Sequence, residues 1–395
     1  MPPKDPDAVD HIALARGLVP TLDAASASIE RARKIPADVL EALHAAGLFR
    51  LALPRSVGGV ELDLPSLVKV AEALGRGDAS VAWCVSQAAG CATAAAYLAP
   101  DVAREIFGDR QAVTSWGPPL GAGAKAIAVE GGYRLTGTWQ FVSGAPHATW
   151  IGATNCTICD PNGKPRLDAK GTPIARRVML FPKARAVFTD VWDVIGLRGT
   201  GSDNYTVTDL FVPEAYSFAL DSAVDRREAG PLYRFSTLSF FGYVFAGVAL
   251  GVAQAALDGF IRLASEKVPY RFSSTLRENA TVQSQVAMAD ARLRSTRLFL
   301  MNSLDEIWDS AVKTGELTLE QRLTLRLATT HTIRKAKDVV AIVYEFAGST
   351  AIFADHPFER RLRDIHAMTQ HLQARFTNYE TVGQALLGLS PGAFI

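Results

Sequence analysis

The chain has 395 residues, 48% hydrophobic and 21% charged, a balance ordinary for a globular protein with a sizeable core. Its 41 basic and 40 acidic residues leave a formal net charge of +1. With no dense run of lysine or arginine, the composition argues against a nucleic-acid or membrane-surface partner. The length suggests two or three domains.

The four cysteines, Cys84, Cys91, Cys156 and Cys159, are too few for a disulfide scaffold and fit a reducing cytoplasm. Cys156 and Cys159 form a C-x-x-C, but a zinc ribbon needs a second such pair. On a strand, positions three apart face opposite ways, so two buried thiols and no metal are expected.

Met1–Asp10 contains three prolines and no apolar core, unlike a signal peptide. Asp38–Gly47 and Leu67–Leu74 carry apolar residues at helical spacing, with Gly47 placed to end the first. Pro54–Gly59 reads as a turn between helices. Val81–Pro100 is too weakly apolar to enter a bilayer. From Ala112 the pattern changes to short segments rich in β-branched and aromatic residues: Ala126–Val129, Tyr133–Thr138, Trp139–Val142, Trp150–Thr154 and Val178–Phe181. Gly131 and Gly132 suggest a hairpin turn, and Asp160–Arg177 an exposed loop. Strands are expected to about Val212.

Helical periodicity returns from Leu232. Phe235–Leu257 is long enough to span a bilayer and holds Gly247 and Gly251 at G-x-x-x-G spacing. Ser236, Thr237, Ser239 and Gln254 dilute it, so a helix buried all round in a bundle is the expected reading. Amphipathic helices are expected over Val282–Trp308, Leu319–Phe346 and Pro357–Leu389. The order is an N-terminal α-helical domain (1–111), a central antiparallel β-barrel or sandwich domain (112–222) and a C-terminal helical bundle (223–395), an α+β fold.

Four motifs in that order resemble the acyl-CoA dehydrogenase superfamily over nearly the whole chain. Leu135–Gly144, reading L-T-G-T-W-Q-F-V-S-G, resembles its G-x-K-x-W-I-T-N-G strand. Ile195–Ser202 resembles its G-x-R-x-T-x-S turn, and Asp209–Glu214 the strand closing its β domain. Phe346–Thr350 with Pro357–Asp364 resembles its G-G-x-G … P-x-E-R-x-x-R-D segment. The resemblance implies a four-helix C-terminal bundle. The dehydrogenases' catalytic glutamate, shortly after that R-D pair, has no counterpart here; His371 falls within one residue of its place. Their T-E-x-x-x-G-S-D loop is replaced by Ser115–Pro119. Some dehydrogenases carry the base on an earlier helix, where this chain has Asp258 and Glu266. An FAD-dependent acyl-CoA dehydrogenase with a non-standard base is therefore the alternative reading.

The departures resemble a sister branch, the two-component flavin-dependent monooxygenases that include 4-hydroxyphenylacetate, dibenzothiophene and indole oxygenases. Three segments carry this resemblance: Trp139–Trp150, Arg363–His371 and Asp78–Trp83. It implies an oxygenase component that takes reduced flavin, FMNH2 or FADH2, and O2. Through a flavin C4a-hydroperoxide it would hydroxylate a small aromatic substrate, phenolic or indolic. Ser143 falls where the family places a hydroxyl beside flavin N5, and Trp116 and Phe141 would border the ring. His371 would be the base, since histidine titrates near neutrality. His147 would face the substrate, and His366 lies on another face. Arg271, Gly348 and Ser349 fall where a neighbouring subunit meets the cofactor, implying a homotetramer. No G-x-G-x-x-G nicotinamide motif is present, so a separate NAD(P)H:flavin reductase is expected.

Overall fold

The computed structural model describes residues 9–121, 124–168, 170–172, 174 and 176–391. Five helices come first: α1 (His11–Ala32), α2 (Ala37–Ala45), α3 (Leu64–Gly77), α4 (Ala79–Ala92) and α5 (Pro100–Phe107). Asp78 is the joint between two of them. Its amide donates to Leu74 O and ends α3, while its carboxylate accepts from Val81 N at 2.9 Å and caps α4. Every residue of α4 is buried, as its small apolar composition requires.

The strands follow: β1 (Thr114–Gly117), β2 (Lys125–Val129), β3 (Gly132–Trp139), β4 (Trp150–Cys159), β5 (Arg177–Pro182), β6 (Val187–Thr189), β7 (Asn204–Pro213) and β8 (Ser217–Phe218). Their order is β6-β7-β3-β2-β4-β5-β8, with β1 beside β4. Most pairings are antiparallel, but β1 and β2 each run parallel to β4. Gly131, at φ +72°, makes the expected hairpin turn between β2 and β3. The expected strand over Trp139–Val142 is not one. β3 stops at Trp139, Gln140 N donates to Pro118 O, and Phe141 takes φ +56°, which turns the chain out of the sheet. Cys156 and Cys159 are both buried free thiols, and no metal-ligating cluster occurs among the described residues.

Three long helices follow: α6 (Thr237–Glu266), α7 (Ala280–Thr314) and α8 (Leu319–Ala347). The helix expected over Pro357–Leu389 is broken into α9 (Pro357–Met368) and α10 (Thr377–Leu386), joined by a 3-10 turn at Leu372–Ala374. No glycine or proline forces the break. Side chains take over the backbone groups instead: Thr330 Oγ1 donates to Gln373 O at 2.7 Å, and Asn378 Nδ2 to Leu372 O at 3.1 Å. This turn carries His371.

The N- and C-terminal helices share one continuous core, and a second cluster fills the sheet. Among the described residues, α6 alone is long and apolar enough to cross a membrane, and it is mostly buried inside the protein. It crosses α3 at backbone contact. A Cβ on Gly251 would lie 2.1 Å from Glu72 O, one on Gly247 2.6 Å from Val68 O, and one on Gly75 2.6 Å from Val248 O. The G-x-x-x-G spacing thus serves a close helix crossing inside the protein. Gly251→Ala should force the helices apart and cost about 1–3 kcal/mol. A thermal melt should show a clear fall in Tm; an unchanged Tm would show that the crossing relaxes freely.

Candidate functional site

Two loops leaving the sheet are stitched together. The Gln140–Ala148 loop follows β3, and the Ile195–Asp203 loop precedes β7. Val142 N donates to Asp203 O at 3.3 Å, and Gly144 N to Thr200 O at 2.8 Å. Four residues here hold left-handed backbone, two of them not glycine: Phe141 (φ +56°), Leu197 (φ +54°), Gly144 (φ +83°) and Gly201 (φ +50°). Such conformations cost energy and persist where surrounding bonds fix them.

The loops set Ser143 at the centre of a buried hydroxyl chain. Trp83 Nε1–H of α4 donates to Ser143 Oγ at 3.2 Å. Ser143 Oγ lies 2.7 Å from Ser202 Oγ, which lies 2.6 Å from Thr200 Oγ1. Thr200 Oγ1 donates to Leu197 O at 2.8 Å. From β1, Ser115 Oγ donates to Ser143 O at 2.6 Å. Beside this chain Phe141 is 55% exposed and meets Trp192 edge to face, with ring centroids 6.1 Å apart.

Trp83 joins this chain to the helices. Its indole stacks on Phe245 of α6, centroids 3.5 Å apart and planes 3° apart. The His371 ring stands edge-on to both, at 5.4 Å from Trp83 and 5.2 Å from Phe245. Ser143 and His371, 228 positions apart in the chain, thus share one aromatic neighbour. Burial, with Arg375 nearby, pulls the His371 pKa down to about 4, although the residue keeps partial exposure. It is neutral at pH 7, and its Nδ1 accepts from Gln373 N at 3.4 Å. The neutral ring then holds its proton on Nε2.

The other expected residues divide. His147 sits near Ser143 in the chain, but its ring turns to Phe49 at 5.5 Å, beside His44. Its Nε2 is buried without a partner, and burial lowers its pKa to about 3. Trp116 is 4% exposed and packs against Gly152 of β4. Its carbonyl accepts from Gln87 Nε2 at 2.8 Å. The Gly348–Ser349 turn lies at the far end of α6, where Lys267 Nζ donates to Ala347 O at 2.7 Å and Thr350 Oγ1 at 2.8 Å; Arg271 follows four residues after Lys267, its guanidinium over the Tyr270 ring. That end is about 30 Å along the helix from Phe245. His366 is exposed.

Asp258 is held by Arg76 at 2.7 Å and by Gln254 at 2.8 Å, and Glu266 is exposed at the end of α6. Neither carboxylate reaches the Trp83 cluster. Neither is therefore placed to act as a dehydrogenase base beside Ser143.

Trp83, Thr200, Ser202 and Asp364 lie within the motifs, but no local sequence signal marks their part in the site. Asp364, buried at the end of the R-D pair, accepts from Leu197 N at 2.7 Å and so pins the hydroxyl-bearing loop. Burial and the neighbouring Asp78 carboxylate push its pKa up to about 7. Nothing in the motif itself signalled that contact, because it spans 167 residues.

The chain matches two family models, the acyl-CoA dehydrogenase N-terminal domain over residues 16–104 and the C-terminal domain over residues 243–376. It is 30% identical to the indole-3-acetate monooxygenase of Pseudomonas putida, over 92% of this chain and 90% of that protein. It is 27% identical to the flavin-dependent monooxygenase oxygenase subunit HsaA of Rhodococcus jostii, over 90% of this chain and 92% of the other. The structure of XiaF from Streptomyces, solved with FADH2 and glycerol, superposes with a TM-score of 0.87 at 23% identity, over 98% of this chain and 96% of XiaF. The chain belongs to the acyl-CoA dehydrogenase family, on its flavin-dependent monooxygenase branch. It is an oxidoreductase of the oxygenase-component type that uses reduced flavin and O2.

Asp364 yields a test of the loop anchor. Its folded pKa is raised, so the folded state binds more protons than the unfolded state between about pH 4 and 7. Its contribution is present at low pH and is lost as pH rises through about 7. Asp364→Asn keeps an acceptor for Leu197 N and removes the charge. Its Tm should fall less than wild type between pH 5 and 8; parallel Tm profiles would contradict the assignment.

Proposed function

We propose that this chain is the oxygenase component of a two-component system that hydroxylates a small aromatic substrate, and that the substrate is indolic. The carrying observation is the cluster in which Trp83 links the Ser143 hydroxyl to Phe245 and His371. The exposed Phe141 ring and the half-buried Trp192 ring beside a buried hydroxyl fit a planar heterocycle with a hydrogen-bonding ring nitrogen. Bound reduced flavin supplies the electrons that activate O2. Ser143 offers its oxygen to N5, and Trp83, Phe245 and the buried α4 face keep water away. The indole-3-acetate activity named for the Pseudomonas putida relative supports an aromatic substrate.

His371 bears on the choice between phenol and indole. A group with a pKa near 4 is a weak base toward a phenol, whose own pKa is near 10. An indole attacks through C3 without first losing a proton. In this reading the neutral His371 ring orients the substrate through its Nε2–H.

The relative's designation as an oxygenase subunit supports a separate flavin reductase. A homotetramer is supported by an exposed apolar patch around the Arg271 and Gly348 turns: Val268, Tyr270, Phe272, Ile352 and Phe353. A neighbour's copy of this patch would complete the cofactor site. Tyr270→Asp with Phe353→Asp should give smaller particles by light scattering and weaker flavin binding. Dissociation with flavin affinity intact would contradict the shared site.

The flavin reading itself is tested by stopped flow. Anaerobic protein with reduced FMN or FAD, mixed with O2, should show a spectral transient before oxidised flavin appears. Ser143→Ala should shorten that transient several-fold, as expected for a lost hydrogen bond of roughly 0.5–1.5 kcal/mol. Direct reoxidation without a transient in the wild type would overturn the proposal. His371→Ala should slow hydroxylation of the indolic substrate by less than about 10²-fold, the lower end expected for loss of a general base.

A further inference from the structure

The hydroxyl chain at Ser143 has a direction. At one end is Trp83 Nε1–H, which only donates; at the other is Leu197 O, which only accepts. Three hydroxyls lie between, each with one hydrogen. All four links are made only if Ser143 donates to Ser202, Ser202 to Thr200, and Thr200 to Leu197 O. Ser143 then has no hydrogen left to offer. Its oxygen accepts from Trp83 and keeps one acceptor lobe for a ligand.

We propose that the Ser143–Ser202–Thr200–Leu197 chain selects the redox state of the flavin by presenting Ser143 as a hydrogen-bond acceptor. This rests on the reading that Ser143 faces flavin N5. Reduced flavin carries a hydrogen on N5 and donates; oxidised flavin carries only a lone pair there and needs a donor. Reduced flavin adds a fifth bond to four intact ones. Oxidised flavin can be met only if Ser143 turns its hydrogen to N5, which either breaks its link to Ser202 or reverses the chain and leaves Thr200 unable to serve both Ser202 and Leu197 O. The difference is one buried hydrogen bond. Asp364 holds the acceptor end in place through Leu197 N, and Trp192 Nε1 donates to the same carbonyl at 3.0 Å. Ser202 and Thr200 are positioning residues in this scheme, since they act through Ser143.

The test measures equilibrium affinities, not turnover. Dissociation constants for oxidised and for anaerobically reduced FMN and FAD are determined for the wild type, Ser202→Ala and Thr200→Val. Either variant frees a hydrogen for Ser143 to turn toward N5. The wild type should bind reduced flavin more tightly. In both variants the ratio of oxidised to reduced dissociation constants should fall by about 3–10-fold, chiefly through tighter oxidised binding. The midpoint potential of bound flavin should drop correspondingly. Ser115→Ala, which loosens the same loop through the Ser143 carbonyl, should change both affinities alike. A wild type without preference for reduced flavin overturns the proposal. So does an equal loss of both affinities in Ser202→Ala and Thr200→Val. A wild type that binds neither form removes the flavin reading as well.

Discussion

The fold depends on burying α6. Its first twenty residues offer no polar face, so neighbours must cover it on every side: α3, α4, α7, α8 and α9 all pack against it. The glycines at 75, 247 and 251 let α3 approach to backbone contact, which sets the height of α4 as well, because Asp78 joins α3 to α4 without a spacer. Trp83 on α4 then falls opposite Phe245 on α6. The stack that results is the wall against which Ser143 and His371 are placed. A core-packing demand thus fixes a chemical site.

The site's polar half is organised from outside the aromatic wall. Two sheet loops exchange backbone bonds, three hydroxyls align between a fixed donor and a fixed acceptor, and a buried carboxylate anchors the acceptor end. A second carboxylate, Asp78, lies close enough to raise the first one's pKa. Buried like charges are costly, and here both are retained at helix and loop termini where backbone amides compensate them. The imidazole of His371, by contrast, sits among rings and stays neutral. That arrangement suits binding and water exclusion better than strong base chemistry.

Much of the fold was legible because its signals are local. Helical periodicity, the Gly131 turn and the all-apolar run of α6 each report on nearby residues. The break at His371 was not legible, since it depends on Thr330 and Asn378 reaching over from other elements. The strand expected through Val142 failed for a similar reason: the backbone of Phe141 obeys the neighbouring loop, not its own β propensity. At the site, motifs mark Ser143 and His371, but Trp83, Ser202 and Asp364 acquire meaning only through contacts across 59 to 167 residues, and Thr200 only through Ser202. His147 and Trp116 stand in the site motifs, and in the structure the first ring lies against Phe49 and the second against Gly152.

The activity proposed for this chain is insertion of oxygen into an aromatic ring with reduced flavin. The most direct measurement is isotopic. The protein is incubated with a flavin reductase, NADH, flavin and indole-3-acetate under 18O2, and the product is analysed by mass spectrometry. One 18O atom per product molecule is expected, lost when either flavin or this chain is omitted. Product without 18O, or flavin oxidation yielding only hydrogen peroxide with indolic and phenolic substrates alike, would contradict it.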